Sequence, residues 1–236
     1  MLIFIRFKTM KTAKNFAHLK VNGYKNVNEI KLINNRLHSI QTLFGDLNAK
    51  ILILLHNPTN FFFYYKLSKK KKDFFRHDEN SVTNINLVKI FKPNFELVNI
   101  KGSNARTCGL FAANIIWLLR DDLNKNIKKN NPDNSLIREC RTVFFETIDS
   151  LKNLKLIIAF GHVPYYACEN YFGFKVDLKK DILNNRKKLI KYKNKSFFIV
   201  PAPSPSPRAK FFSERIWINQ EQEWQRSMSA WTKLIK

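Results

Sequence analysis

Cysteine is scarce in this sequence. Cys108, Cys140 and Cys168 are an odd number, far apart, with no CxxC pair. That speaks against a disulfide framework and against a four-cysteine zinc or iron–sulfur site. Acidic residues are few as well: 18 Asp and Glu stand against 42 Lys and Arg, a formal net charge of +24. The first acid is Glu29. No apolar run is long enough to cross a bilayer as a helix, so neither a transmembrane span nor a membrane partner is expected.

Apolar bulk is abundant. Hydrophobic residues make up 44 % of the 236, and 21 are Phe. That is enough to close a core without metals or disulfides, and it excludes wholesale disorder. The length suits one domain, or at most two small ones. The charge admits two readings. One is a polyanionic partner, most simply nucleic acid, bound with an affinity that falls with salt. The other is the drift towards Lys and Asn codons that accompanies an AT-rich genome.

The first 27 residues read as a basic arm and residues 28–236 as a single domain. The stretch MLIFIRFKTMKTAKNF also fits an organelle presequence, or a start at Met10, whereas Arg6 and Lys8 interrupt any secretory signal. A cytoplasmic setting in a bacterium or a virus-infected cell fits the chain, and so does an organelle.

From Asn28 to Leu43 the apolar residues fall at near-helical spacing. AKILILLH (Ala49–His56) is a continuous apolar run ending at Asn57-Pro58, the pattern of a buried parallel strand. An aromatic and lysine-rich loop, Phe61–Phe75, follows. Thr83–Phe91 reads as a helix and Phe95–Ile100 as a strand. Gly109–Leu119 begins as a strand and is ambiguous later. Ser135–Leu151 reads as one amphipathic helix, Leu154–His162 as the clearest strand, and Pro164 onward as a helix. Lys195–Arg208 is a last strand running into a Pro/Ser loop, and Glu221–Ile235 is helical with Trp224 and Trp231 facing the core. Strands alternate with helices, so the expected class is a three-layer α/β/α sandwich with a central, mostly parallel sheet. In such sheets ligands bind at the carboxyl ends of the strands. Three of those ends are polar or turn-forming: His56-Asn57-Pro58-Thr59, Gly161-His162 and Ser204-Pro205-Ser206-Pro207-Arg208. Asn114 is a fourth polar position.

Two of these loops resemble the active-site motifs of the uracil-DNA glycosylase superfamily. Gly45–Asn60 has the layout of the early motif, an apolar strand followed by Asn-Pro. Val200–Arg208 is similar to the late motif, with Ser204-Pro205-Ser206-Pro207-Arg208 in place of the usual His-Pro-Ser-Pro-Arg. The single-strand-selective monofunctional branch has the nearest form of both. Arg76–Asn80 leading into Thr83-Asn84 and Leu87 resembles a bacterial and viral branch, as does Arg215…Gln220–Trp224 near the end of the chain. The ordered series covers roughly Gly45 to Trp231. It implies a uracil-DNA glycosylase-like fold and hydrolysis of the N-glycosidic bond of uracil in DNA.

The resemblance also implies roles. Asn57 matches the residue that positions the attacking water, although its neutral amide is a weaker base than Asp; Asn before Pro is also a common turn starter. His56 either lines the pocket or packs as a strand-end histidine. Asn114 matches the reader of the uracil edge, donating to O4 and accepting from N3–H; buried without partners, such an amide is costly. Ser204 departs from the family's His, which donates to uracil O2 as charge develops. One such donor supplies roughly 3–4 kcal/mol in the transition state, so either His162 or His56 compensates or activity is reduced.

Phe63 or Tyr64, within the aromatic run Phe61–Tyr65, would stack on the flipped base, although most of that run must be core. Ser206, Arg208 and Phe211 belong to the loop that would enter the duplex. Lys69, Lys70 and Lys71 would follow the phosphates, or simply form a solvated loop. The partner implied is uracil-containing DNA, single- or double-stranded, with no cofactor, no metal and a monomeric chain. A bifunctional lyase would need a nucleophilic Lys that nothing singles out. The alternative is a non-catalytic nucleic-acid-binding protein on the same scaffold, and a ribosome-associated basic protein is a more distant third.

Overall fold

The computed structural model describes residues 24–26, 42–45, 48–56, 110–116, 118–120, 134–205, 227, 230–231 and 235. The described elements run β1 (Tyr24–Asn26), β2 (Thr42–Gly45), β3 (Ile51–Leu55), β4 (Leu110–Asn114), β5 (Leu118–Arg120), α1 (Asn134–Glu139), α2 (Arg141–Ser150), β6 (Leu156–Phe160), α3 (His162–Phe172), α4 (Leu178–Leu183), β7 (Lys188–Tyr192) and β8 (Lys195–Ala202). The readings at Phe61–Phe75, Thr83–Phe91 and Phe95–Ile100 lie outside the described residues.

Six strands form one sheet in the order β2-β4-β3-β6-β8-β7, and β1 pairs with β5 in a separate two-stranded ladder. The four inner strands are mutually parallel, while β2 and β7 run antiparallel at the two edges. The fold is therefore α/β with a mixed, mostly parallel sheet. Strands β3 and β6 occupy the centre, and every one of their residues is buried. That explains why they read as unbroken apolar runs: a parallel strand covered on both faces has no solvent side for a polar residue.

The period-2 alternation of these strands divides the core in two. Leu52, Leu54, Ile157, Ala159, Phe197 and Ile199 face one way, against α1, α2 and α3. Ile51, Ile53, Leu156, Ile158, Phe160 and Val200 face the other way, where Trp231, a helical residue, packs on them. Each fully buried Leu, Ile or Phe contributes about 1.5–3 kcal/mol. Among the described residues, most phenylalanines lie on the first face. Phe144 lies 4.9 Å from Tyr171, Phe145 stacks on Tyr192 at 4.8 Å, and Phe172 meets Phe197 edge-on at 5.9 Å. These contacts tie α2, α3 and the β7–β8 hairpin into one body. Cys140 and Cys168 are buried in the same face without a disulfide.

Two sequence expectations need correction, and one strand was not expected. The helix read over Asn28–Leu43 does not hold to its end: Thr42 and Leu43 belong to β2, because pairing with β4 overrides a weak local periodicity. The single helix read over Ser135–Leu151 is two helices meeting at Cys140, which is a turn residue. The step is slight, since Cys140 N–H still donates to Leu136 O and Cys140 O still accepts from Phe144 N–H. Strand β7 is an addition, foreseen by no apolar run: only Ile190 is buried in KLIKY. Lysines on an edge strand limit edge-to-edge pairing with other chains.

Candidate active site

The parallel core brings the polar strand ends together. Strands β4, β3, β6 and β8 are neighbours running the same way, so their carboxyl ends form one row about 14 Å wide at a strand spacing of about 4.8 Å. In order along it stand Asn114, His56, Gly161-His162 and Ser204. Within the parallel core the chain starts at β3, steps to β4 on one side, then returns past β3 to β6 and β8 on the other. The β3/β6 boundary is thus the topological switch point, where open α/β sheets leave a crevice beyond their strand ends.

The backbone on either side of that point is firmly held. Ile115 N–H donates to Leu55 O at 2.7 Å and Ile116 N–H to His56 O at 3.0 Å, so the β3–β4 ladder runs one step past both strands. The half-buried His56 is fixed at its carbonyl by this pairing. Across the switch point, Gly161 N–H donates to Ala202 O at 2.8 Å.

Asn114 is the last residue of β4, in register with Leu55. It is 2 % exposed. Its side-chain Nδ2 is fully buried and has no hydrogen-bond partner among the described residues. An unsatisfied buried donor costs about 1–3 kcal/mol, and native proteins carry few of them. Alternation along β4 puts Asn114 on the same face as Leu110 and Ala112, the face that Trp231 covers.

Gly161 joins β6 to α3 with φ +88°. Glycine is needed there twice over. The left-handed φ disfavours any side chain, and an added Cβ would lie 3.2 Å from the Ser204 Cβ. This close approach sets the start of α3 directly beside Ser204. Its positive end faces the same edge as the strand ends. His162, the first residue of α3, is exposed and stacks on Tyr166 with ring planes 9° apart and centroids at 5.7 Å.

Ser204 is half-buried between the buried Pro203 and Pro205. Strand β8 reaches it through Pro201, a residue unusual within a sheet. Phe198 N–H donates to Lys155 O, towards β6, so alternation turns the Pro201 nitrogen towards β7. Strand β7 begins opposite Ile199 and does not extend that far. The missing donor therefore breaks no ladder bond.

Behind the row, the buried Asp181 carboxylate accepts from Tyr165 OH at 2.8 Å, Arg186 Nη1 at 2.9 Å and the Asp177 N–H at 3.2 Å. Burial pushes this carboxyl up, but the bonds from Arg186, Tyr165 and Asp177 outweigh it and hold it below the usual carboxylate range. The Tyr165 phenol is pushed up by burial and by the same bond. The network anchors α3 to α4, and so fixes the helix that carries His162.

Of the residues singled out from the sequence, the structure brings together His56, Asn114, His162 and Ser204. Asn57, Phe63, Tyr64, Lys69, Lys70, Lys71, Ser206, Arg208 and Phe211 lie outside the described residues. Gly161 was not among the predicted site residues; a lone Gly directly after an apolar strand was its only signal. Among the described residues no cluster of three or more His, Cys, Asp or Glu could hold a metal ion, and no helix is long and apolar enough to cross a membrane. A scan against protein-family models finds no match for the chain, and a comparison with curated proteins finds none either.

Proposed function

We propose that the chain is a monofunctional uracil-DNA glycosylase, built as a three-layer α/β/α sandwich with α1–α3 on one sheet face and the Trp231 segment on the other. The observation that carries this reading is the Asn114 amide. A buried Nδ2 without an acceptor among the described residues, at the carboxyl edge of a parallel sheet, is a cost that a bound carbonyl removes. Uracil offers O4 to Nδ2 and N3–H to Oδ1. Cytosine presents an amino donor at the same position and would be refused. The sequence resemblance places a uracil reader at this residue, and the net charge of +24 suits a DNA substrate.

In this mechanism the base leaves the stack and enters the crevice at the switch point. Asn57 orients a water towards the anomeric carbon. The glycosidic bond breaks, its electron pair leaves with the uracil as an anion, and the water adds to the anomeric carbon, its released proton neutralising the uracil anion. Negative charge on uracil O2 then needs a donor. Ser204 Oγ supplies a short neutral one, and the α3 N-terminus, held against Ser204 by Gly161, adds its positive end.

Ser204 also favours a second reading, a nucleic-acid-binding protein with reduced or no catalysis. Serine cannot carry the positive charge of an imidazole, and losing one such donor costs roughly 3–4 kcal/mol of transition-state stabilisation.

The test is base release from end-labelled oligonucleotides carrying one uracil, as single strands and as a U:G duplex, followed by alkali. Strand scission at the uracil is expected, lost in Asn57→Ala and reduced by at least about 100-fold in Asn114→Leu. Intact uracil beside salt-sensitive DNA binding would move the assignment to the binding protein.

A further inference from the structure

Between Lys175 and Lys195 the chain carries nine Lys or Arg and two acidic residues, Asp177 and Asp181. Several of these charges serve the fold. Arg186 pairs with the buried Asp181, Lys193 with Asp149 at 2.6 Å, and Lys195 Nζ donates to three carbonyls at the end of α2. Asp177 caps α4 by accepting from Lys180 N–H. Among the described residues, Lys175, Lys179, Lys180, Lys187, Lys188 and Lys191 have no carboxylate partner. This cluster is held together against its own repulsion.

Strand β7 arranges part of it. Leu189 and Lys191 alternate with the half-buried Lys188 and Tyr192 and the buried Ile190 and so share one face, and Lys187 directly precedes the strand. Leu189 is 56 % exposed and lies opposite the half-buried Phe198 of β8. Lys187 Nζ sits 5.5 Å from the Phe198 ring centroid. The face therefore alternates cation, apolar surface and cation over about 13 Å, at roughly 3.3 Å per strand residue. It also adjoins the candidate site. Because β7 runs antiparallel to β8, its Lys188 end pairs with Ile199, three residues before β8 ends at Ala202. Lys187 stands at the side of the sheet where Ser204 follows.

We propose that the Lys187–Leu189–Lys191 face of β7, with Phe198, is a binding surface for a single-stranded nucleic-acid segment flanking the site at the sheet's carboxyl edge. The two lysines take successive parts of the phosphate backbone. Leu189 and Phe198 meet a base between them, as a sequence-independent single-strand groove requires. A duplex keeps its bases stacked inside and gives the exposed Leu189 nothing to contact. The surface deepens the glycosylase reading by supplying the path of the substrate strand, and its binding test does not depend on catalysis.

The test uses the full-length chain and a fluorescent oligothymidine without uracil, with binding followed by anisotropy at several salt concentrations. K187E/K191E is compared with K187Q/K191Q and L189S, and circular dichroism confirms that each is folded. Charge reversal should weaken binding by tenfold or more at low salt, and neutralisation should lower the slope of log affinity against log salt by about 1.4 for two phosphate contacts on a single strand, at about 0.7 each. L189S should weaken binding without changing that slope. Unchanged affinity and slope in folded charge variants would overturn the proposal, as would binding to phosphatidylglycerol vesicles with none to the oligonucleotide. If the variants behave as expected and the wild type releases no uracil, the surface stands and the glycosylase assignment falls. If uracil is released and the variants bind normally, the reverse holds.

Discussion

At the scale of single residues, Gly161 and Asn114 say most about function, for opposite reasons. Gly161 has no side chain because none fits: its φ is +88° and Ser204 closes the space. Gly161→Ala is expected to cost about 1–3 kcal/mol, read as a lower midpoint in urea, and to push α3 away from Ser204. Asn114 has a polar side chain where an apolar one would suit the fold. Asn114→Leu replaces a donor that has no partner among the described residues with an apolar group of similar size, so thermal stability should hold or rise while any base release falls by at least about 100-fold. A fall in melting temperature of the size seen for a lost buried hydrogen bond would mean that the amide serves the fold instead. Asn114 was visible in the sequence as the one polar residue of an apolar strand. The need for Gly161 was not, because it arises from a contact between residues 43 positions apart.

At the scale of elements, helix α2 is closed by Lys195 from another part of the chain. Its ammonium donates to Ile148 O, Asp149 O and Leu151 O at 2.6–3.1 Å. A cation there both satisfies orphan carbonyls and opposes the negative end of the helix. Lys195→Met keeps the aliphatic stem and removes the donors. It is expected to cost about 1–2 kcal/mol, measured by urea denaturation, with increased amide exchange in the last turn of α2. The apolar strands β3, β6 and β8 were legible from their runs. Strand β7 was not: only one of its five residues is buried, and its partner β8 decides that it is a strand. The Thr42–Gly45 strand escaped notice for the same reason, since its pairing with β4 is not a local property.

At the scale of the whole molecule, a chain of net charge +24 keeps, among the described residues, one buried carboxylate, Asp181, at the junction of α3, α4 and the start of β7. Its folded pKa lies below the unfolded value of about 3.9. The stabilisation is therefore complete above that value and is lost as pH falls through the folded pKa. Asp181→Asn should cost about 1–3 kcal/mol at pH 7, the lower part of the range for a buried pair because Arg186 is 47 % exposed and can hydrate. The gap between wild type and variant should stay constant from neutral pH down to about pH 5 and narrow below about pH 4, followed by urea melts across that range. A gap that widens in acid would assign the carboxylate a different role.

The amino-acid sequence by itself determined the class of this protein. Runs such as Ile51–Leu55 and Leu156–Phe160 have no polar side to turn to water, so they must be covered on both faces, and alternation with amphipathic segments makes an α/β sheet the economical solution. It also marked the polar residues that end those runs: His56, Asn114, His162 and Ser204. Only the tertiary structure decided the order in which the parallel strands β4, β3, β6 and β8 lie side by side, which sets those residues in one row. The order of strands depends on long-range pairing, and the energy of that pairing is spread over many contacts with no local signature. The same holds for the lysine face at β7, whose residues share a side only because an antiparallel partner makes them a strand.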